Sequence, residues 1–155
     1  MAYKLLIALA ALLGIFFFNR SKDTLLRVVL ISLISGILIS LIPFESTYQA
    51  GLWIYVIGLT LFALLVLLKP SAQTGLQKYL LIALGILIAN HLIKLFHYPL
   101  AGMAGFACII SLAFIVFCIV TRFKSVREES GALIIIATDA FIQFSQSADW
   151  IWDKA

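Results

Sequence analysis

The sequence predicts an all-α, polytopic transmembrane helical bundle of about six spans, a single integral-membrane domain over residues 1–155. Three observations carry that expectation. Of the 155 residues, 64% are hydrophobic and only 12% charged, against about 25% charged in soluble domains. Mean hydropathy is +1.15. The apolar residues fall in unalternating runs of roughly membrane-spanning length, and in lipid such runs must be helices because every backbone polar group has to be paired within the segment.

The first run, 3–18, follows Lys4 and ends at Phe16, Phe17 and Phe18. The small-residue site at 8–10 falls inside the run, so the segment reads as an uncleaved span and not as a signal peptide. It is short for a bilayer core of about 30 Å, a deficit that snorkelling of Lys4 offsets. The second run, 25–44, carries Ser32, Ser35 and Ser40, which bond their own helix or a neighbour, and it stops at Pro43. The third, 51–68, has Tyr48, Trp53 and Tyr55 at one end, read as an interfacial aromatic belt. The fourth, 79–98, stops at Pro99. The fifth, 100–121, opens on Ala101, Gly102, Ala104 and Gly105, small residues that predict close packing against the fourth span. Its Cys108 and Cys118 lie about 15 Å apart along one helix and read as core residues.

The sixth run, 131–152, is ambiguous. Asp139, Gln143, Gln146 and Asp149 share one helical face. The segment either crosses, packed against other spans, or lies in the interface. Interfacial helices favour Lys and Arg on their polar face, and this face is acidic, which favours crossing. The tetrapeptide Gly-Ile-Leu-Ile occurs at 36–39 and again at 85–88. It marks either duplication of an up–down hairpin or chance recurrence in apolar sequence.

Alternate connections carry the cations: Arg20, Lys22 and Arg27, then Lys69 and Lys78, then Arg122, Lys124 and Arg127. Residues 45–50 and the turn at Pro99 carry none. The positive-inside rule then places the N-terminus outside, in a bacterial inner membrane. The net charge of +4 sets orientation and does not indicate nucleic-acid binding. No cofactor is expected. No metal site is expected either, since His91 and His97 fall on different faces of one helix and no Cys or Glu sits at ligand spacing.

The chemistry-bearing stretch is 85–99. Asn90, Lys94 and His97 form one stripe of a helix, with His91 beside it. Asp139 lies roughly 12 Å along the sixth segment, at a similar depth. Polar side chains there are costly, about 2.5–3.5 kcal/mol for a central charge, and something must offset the cost. Asn90, His91, Lys94, His97, Asp139 and Gln143 are therefore a candidate buried cluster. It serves as a proton relay, a static buried pair or a small-ligand site.

Lys94-Leu-Phe-His97-Tyr98-Pro99, followed by small residues, resembles the K-x-x-H-[WY]-P-G-[AS] signature of GldL-type proteins. These are inner-membrane subunits of the gliding-motility and type IX secretion motor. The resemblance covers roughly residues 79–120. It implies a two-helix hairpin with Lys94 and His97 at its outer boundary and a membrane-protein partner. Leu100 stands where that family has glycine, and the return helix lacks the family's embedded glutamate. The leading expectation is a non-enzymatic membrane subunit or scaffold, in contact with lipid and binding a membrane-protein partner or a second copy. The alternative is a small proton-coupled channel or transporter using the His/Lys/Asp cluster.

Overall fold

A computed structural model describes residues 2–68, 74–98, 101–122 and 129–152. Every regular element among them is helical: α1 (Ala2–Arg20), α2 (Thr24–Ser40), α3 (Glu45–Leu68), α4 (Thr74–Leu95), the short α5 (Ala101–Ala104), a 3-10 turn (Gly105–Ala107), α6 (Cys108–Arg122) and α7 (Ser130–Trp152). The turn joins α5 to α6 without a gap, so the described residues form six helical rods. The cationic connections 69–73 and 123–128 lie outside the described residues.

The helix ends differ from the expected runs for local reasons. Asp23 caps α2, its Oδ1 accepting from the Leu25 and Leu26 amides at 2.9 and 3.4 Å. The helix stops at Ser40 and not at 44, because Pro43 disfavours helical backbone just before it. Residues 45–50, expected as a loop, form the first turns of α3. Glu45 there suits the positive end of the helix dipole, and the Thr47 hydroxyl donates to the Phe44 carbonyl at 2.7 Å. Helix α4 stops at Leu95, short of 98. His97 takes a left-handed φ of 53°. Its amide donates to Lys94 O and the Tyr98 amide to Ile93 O, both at 3.1 Å. This is the Schellman termination that usually employs glycine.

The rods close into a ring. α1 packs on α2, α2 on α3, α3 on α4, α4 on α6, α6 on α7 and α7 back on α1. Neighbours run antiparallel. Along α1 and α7, Tyr3 Oη donates to Asp149 Oδ2 at 2.6 Å, Gly14 abuts Ile135, and Gly131 abuts Phe17. The backbones of α2 and α3 touch. A Cβ on Gly36 would lie 2.7 Å from Tyr55 N, and one on Gly51 would lie 2.7 Å from Gly36 O. The identical tetrapeptides thus occupy unlike settings, since a Cβ on Gly85 meets nothing within 4 Å.

The small residues after Pro99 require a correction. Gly105 was expected against the fourth helix. It faces α7 instead, where a Cβ would overlap Ser147 Oγ and the Gln143 carbonyl. The physical reason is the 3-10 turn, which swings Gly105 towards α7. The surroundings of Ala101 and Gly102 lie outside the described residues. The short α5 does contact α4, as expected of this segment, and further along Ser111 Oγ donates to Ala83 O at 3.0 Å.

Interior and exterior are both largely apolar. Leu33, Leu59, Leu84, Leu133 and Ile136 fill the interior, yet Asn90, His91, Asp139 and Gln143 are buried with them. Large apolar side chains meanwhile point outward from every rod, among them Leu12, Ile31, Ile57, Ile82, Phe117 and Phe141. Two stretches, Glu45–Leu68 and Gln77–Leu95, are long and apolar enough to cross a membrane; Leu5–Arg20, Thr24–Ser40 and Gly105–Thr121 are apolar but shorter.

The two glycine settings make opposite predictions. Gly51→Ala forces backbones apart and should lower stability by about 1–3 kcal/mol. Gly85→Ala should raise it by about 0.5–1 kcal/mol through helix propensity. Thermal unfolding of both variants in detergent checks this, and equal shifts would contradict the packed α2–α3 interface.

Candidate functional site

The site lies between α4 and α7, which are not neighbours in the ring. Long polar side chains bridge the space between them. On α4, Asn90, His91 and Lys94 share an inward stripe; on α7, Asp139, Gln143 and Gln146 follow at helical spacing. The two helices run parallel, so the two stripes lie side by side along their length.

His91 Nε2 lies 2.7 Å from Asp139 Oδ2, with both side chains almost fully buried. Gln143 Nε2 donates to the other carboxylate oxygen, Asp139 Oδ1, at 3.0 Å. Gln143 Oε1 in turn accepts from Asn90 Nδ2 at 3.3 Å and from Lys94 Nζ. Lys94 Nζ also donates to Gln146 Oε1 at 3.2 Å. The result is a continuous chain from Lys94 through Gln143 and Asp139 to His91. A buried carboxylate needs this. Its charge is stabilised only where both oxygens accept hydrogen bonds and a cation lies near.

Beside the chain lies a cavity of about 170 Å³. His91, Asp139 and Gln143 line it together with Gly36, Gly51 and Tyr55. It extends to Tyr3, Tyr48 and Gln146, towards the end of the bundle that holds the start of α1. On the far side of the dyad the interior is a layer of Leu and Ile. Three buried polar atoms have no hydrogen-bond partner among the described residues: His91 Nδ1, Tyr55 Oη and Asn90 Oδ1. The first two belong to residues that line the cavity, and their rings meet edge to face at 5.2 Å.

His97 stands apart from the other residues of the candidate cluster. The left-handed turn carries it to the surface, where Gln49 Nε2 donates to its Nε2 at 3.4 Å. Tyr55, expected in an aromatic belt, is 4% exposed and faces the interior. Its position was readable in one respect: Gly51, Tyr55 and Gly58 are spaced as one helical face, so Tyr55 shares the packed face. Cys108 and Cys118 are buried thiols, and among the described residues no group of His, Cys, Asp and Glu could hold a metal.

Comparison with protein-family models, curated proteins and solved structures finds no match.

The pair makes a stability prediction. Asp139→Ala strands His91 and should cost about 3–5 kcal/mol. The double variant His91→Leu/Asp139→Leu removes both partners and should cost less than Asp139→Ala. Chemical unfolding in detergent measures the ranking, and the reverse order would contradict the pairing.

Proposed function

We propose that this chain is a six-span inner-membrane protein with its N-terminus outside, and that it works as a small proton-coupled transporter. In this reading His91 and Asp139 form the proton site, and the cavity is its access from the outer side. The observation that carries it is the buried His91–Asp139 contact of 2.7 Å beside a cavity, inside a bundle whose exterior is apolar on every rod.

The chemistry follows from the two ring nitrogens. In neutral His91, Nε2–H donates to Asp139 and Nδ1 is left without a hydrogen-bond partner among the described residues. A proton entering the cavity binds there, and the imidazolium that forms is stabilised by the carboxylate. Gln143 holds the second oxygen of Asp139 in place, and Lys94 supplies a compensating charge through Gln143. Leu33, Leu84, Leu133 and Ile136 offer no proton path beyond the dyad. Release to the other side therefore requires the helices to repack, which favours a transporter over an open channel.

The partner-binding subunit is the second reading. Its support is the same apolar exterior, which a membrane partner or a second copy would cover as lipid does. The likeness to GldL-type hairpins adds to it at Lys94 and His97. The acid that those hairpins carry in the return helix is here supplied by Asp139 on α7.

In proteoliposomes the protein should dissipate an imposed pH gradient, and Asp139→Asn should abolish this. His97→Ala should leave the flux unchanged. Flux that survives Asp139→Asn in folded protein would overturn the proton-site reading. Orientation is tested separately in a background lacking Cys108 and Cys118. A cysteine at position 47 should be labelled from outside, and one at position 74 only after permeabilisation; the opposite pattern would reverse the layout.

A further inference from the structure

Helix α1 is held unevenly along its length. Among its described residues the buried positions are Ala10, Ala11 and Gly14. These small residues let α1 sit directly on both neighbours: a Cβ on Gly14 would lie 2.6 Å from Ile135 on α7 and 3.2 Å from Ile34 on α2. The turn into α2 fixes that half further. There the Ser21 amide donates to Phe17 O at 3.0 Å, and Arg27 Nε donates to Ser21 O at 2.8 Å. Towards the start of the helix the packing changes. No described side chain between positions 3 and 9 is buried. What this half offers the interior is Tyr3 and Ile7, and both line the cavity.

The other walls of the cavity belong to helices that are fixed at its level. Gly36 and Gly51 hold α2 and α3 in backbone contact. The bonds through Gln143 and Asp139 hold α4 to α7. Helix α1 closes the remaining side with two side chains. Tyr3 is tied in place where its Oη donates to Asp149 Oδ2 at 2.6 Å, an exposed bond near the end of α7. A bond in that position exchanges with bonds to water, so it biases the helix end without locking it. Breaking it releases Tyr3, while the packing at Gly14 still holds the other half. A segment anchored at one end and weakly tied at the other opens as a hinge.

We infer that α1 is a hinged gate on the cavity. Its first two turns swing outward on the packing at Ala10, Ala11 and Gly14, Tyr3 and Ile7 leave the wall, and the Tyr3–Asp149 bond is the latch that holds the gate closed. The gate's role rests on the proton-site reading, in which the cavity is the access from the outer side; its existence needs only the cavity. No covalent step and no protonation change is involved.

Thiol labelling of the whole protein in lipid nanodiscs tests it, in the background lacking Cys108 and Cys118. The reporter is Ile37→Cys, at a cavity-lining residue only 2% exposed. Ser40→Cys, a nearly isosteric change at the same cavity, replaces it if Ile37→Cys lowers the melting temperature. The probe is a charged, membrane-impermeant methanethiosulfonate. Tyr3→Phe should raise the labelling rate about three- to tenfold. Asp149→Ala should do the same, and combining the two should add nothing, since both break one bond. Asp149→Asn keeps an acceptor oxygen and should label like the parent. A control reporter, Leu84→Cys, is buried away from the cavity and should not respond to the latch variants. Cysteines at positions 3 and 149 joined by a short bifunctional thiol reagent should slow labelling below the parent rate. Unchanged rates in Tyr3→Phe and Asp149→Ala, or equal acceleration at positions 37 and 84, would overturn the gate. Labelling that follows the latch without Asp139-dependent proton flux supports the gate and rejects transport. Flux that persists while labelling ignores the latch rejects the gate and leaves the proton site standing.

Discussion

A carboxylate in an apolar bundle must be compensated, and the arrangement of this fold answers to that constraint. Asp139 sits where an unpaired charge would cost several kcal/mol or protonate. Its compensation comes from α4, which is not a ring neighbour of α7. The bond to His91 and the bonds through Gln143 therefore act across the interior. They fix how far α4 and α7 are rotated about their own axes, because turning either helix would carry its polar stripe towards apolar neighbours. Leu and Ile packing alone is tolerant of such rotations; a hydrogen-bonded chain is not.

The glycines act on the opposite wall. Gly36 and Gly51 bring α2 and α3 into backbone contact. On that side the cavity is lined by these glycines together with Ile37, Leu52 and Tyr55, while the polar chain spans the other. Gly105 contributes from a third direction. Its contact with the Gln143 carbonyl braces α7 at the residue linking Lys94 to Asp139.

Much of the helical architecture was legible, because runs of apolar residues in a chain with so few charges leave no alternative to helices. The helix ends were less so. Hydropathy does not distinguish the first turns of α3 from a loop, since Glu45, Ser46, Thr47 and Gln49 are polar whether capped or free. The energetic demand of Asp139 was readable, as was the stripe containing Asn90, His91 and Lys94. The exclusion of His97 was not, because helical spacing carries that stripe through a residue that in fact leaves the helix at a left-handed φ. The facing of Gly105 was hidden for a similar reason. A 3-10 turn rotates side chains by 120° per residue and breaks the register assumed from α-helical spacing. Tyr55 was misplaced because an aromatic near a span end suits a belt and a core equally well by composition.

The Tyr55 hydroxyl has an evolutionary consequence. Fully buried beside the His91–Asp139 pair, it is a polar group that phenylalanine would remove while keeping the ring against His91. Tyrosine and phenylalanine codons differ at a single nucleotide, so mutation offers that exchange repeatedly. Neutral drift should then fix phenylalanine in lineages where the cavity has fallen out of use, and purifying selection should hold tyrosine where it has not. The identity of this one residue among descendants would act as a record of whether the polar site around His91 and Asp139 is still under selection.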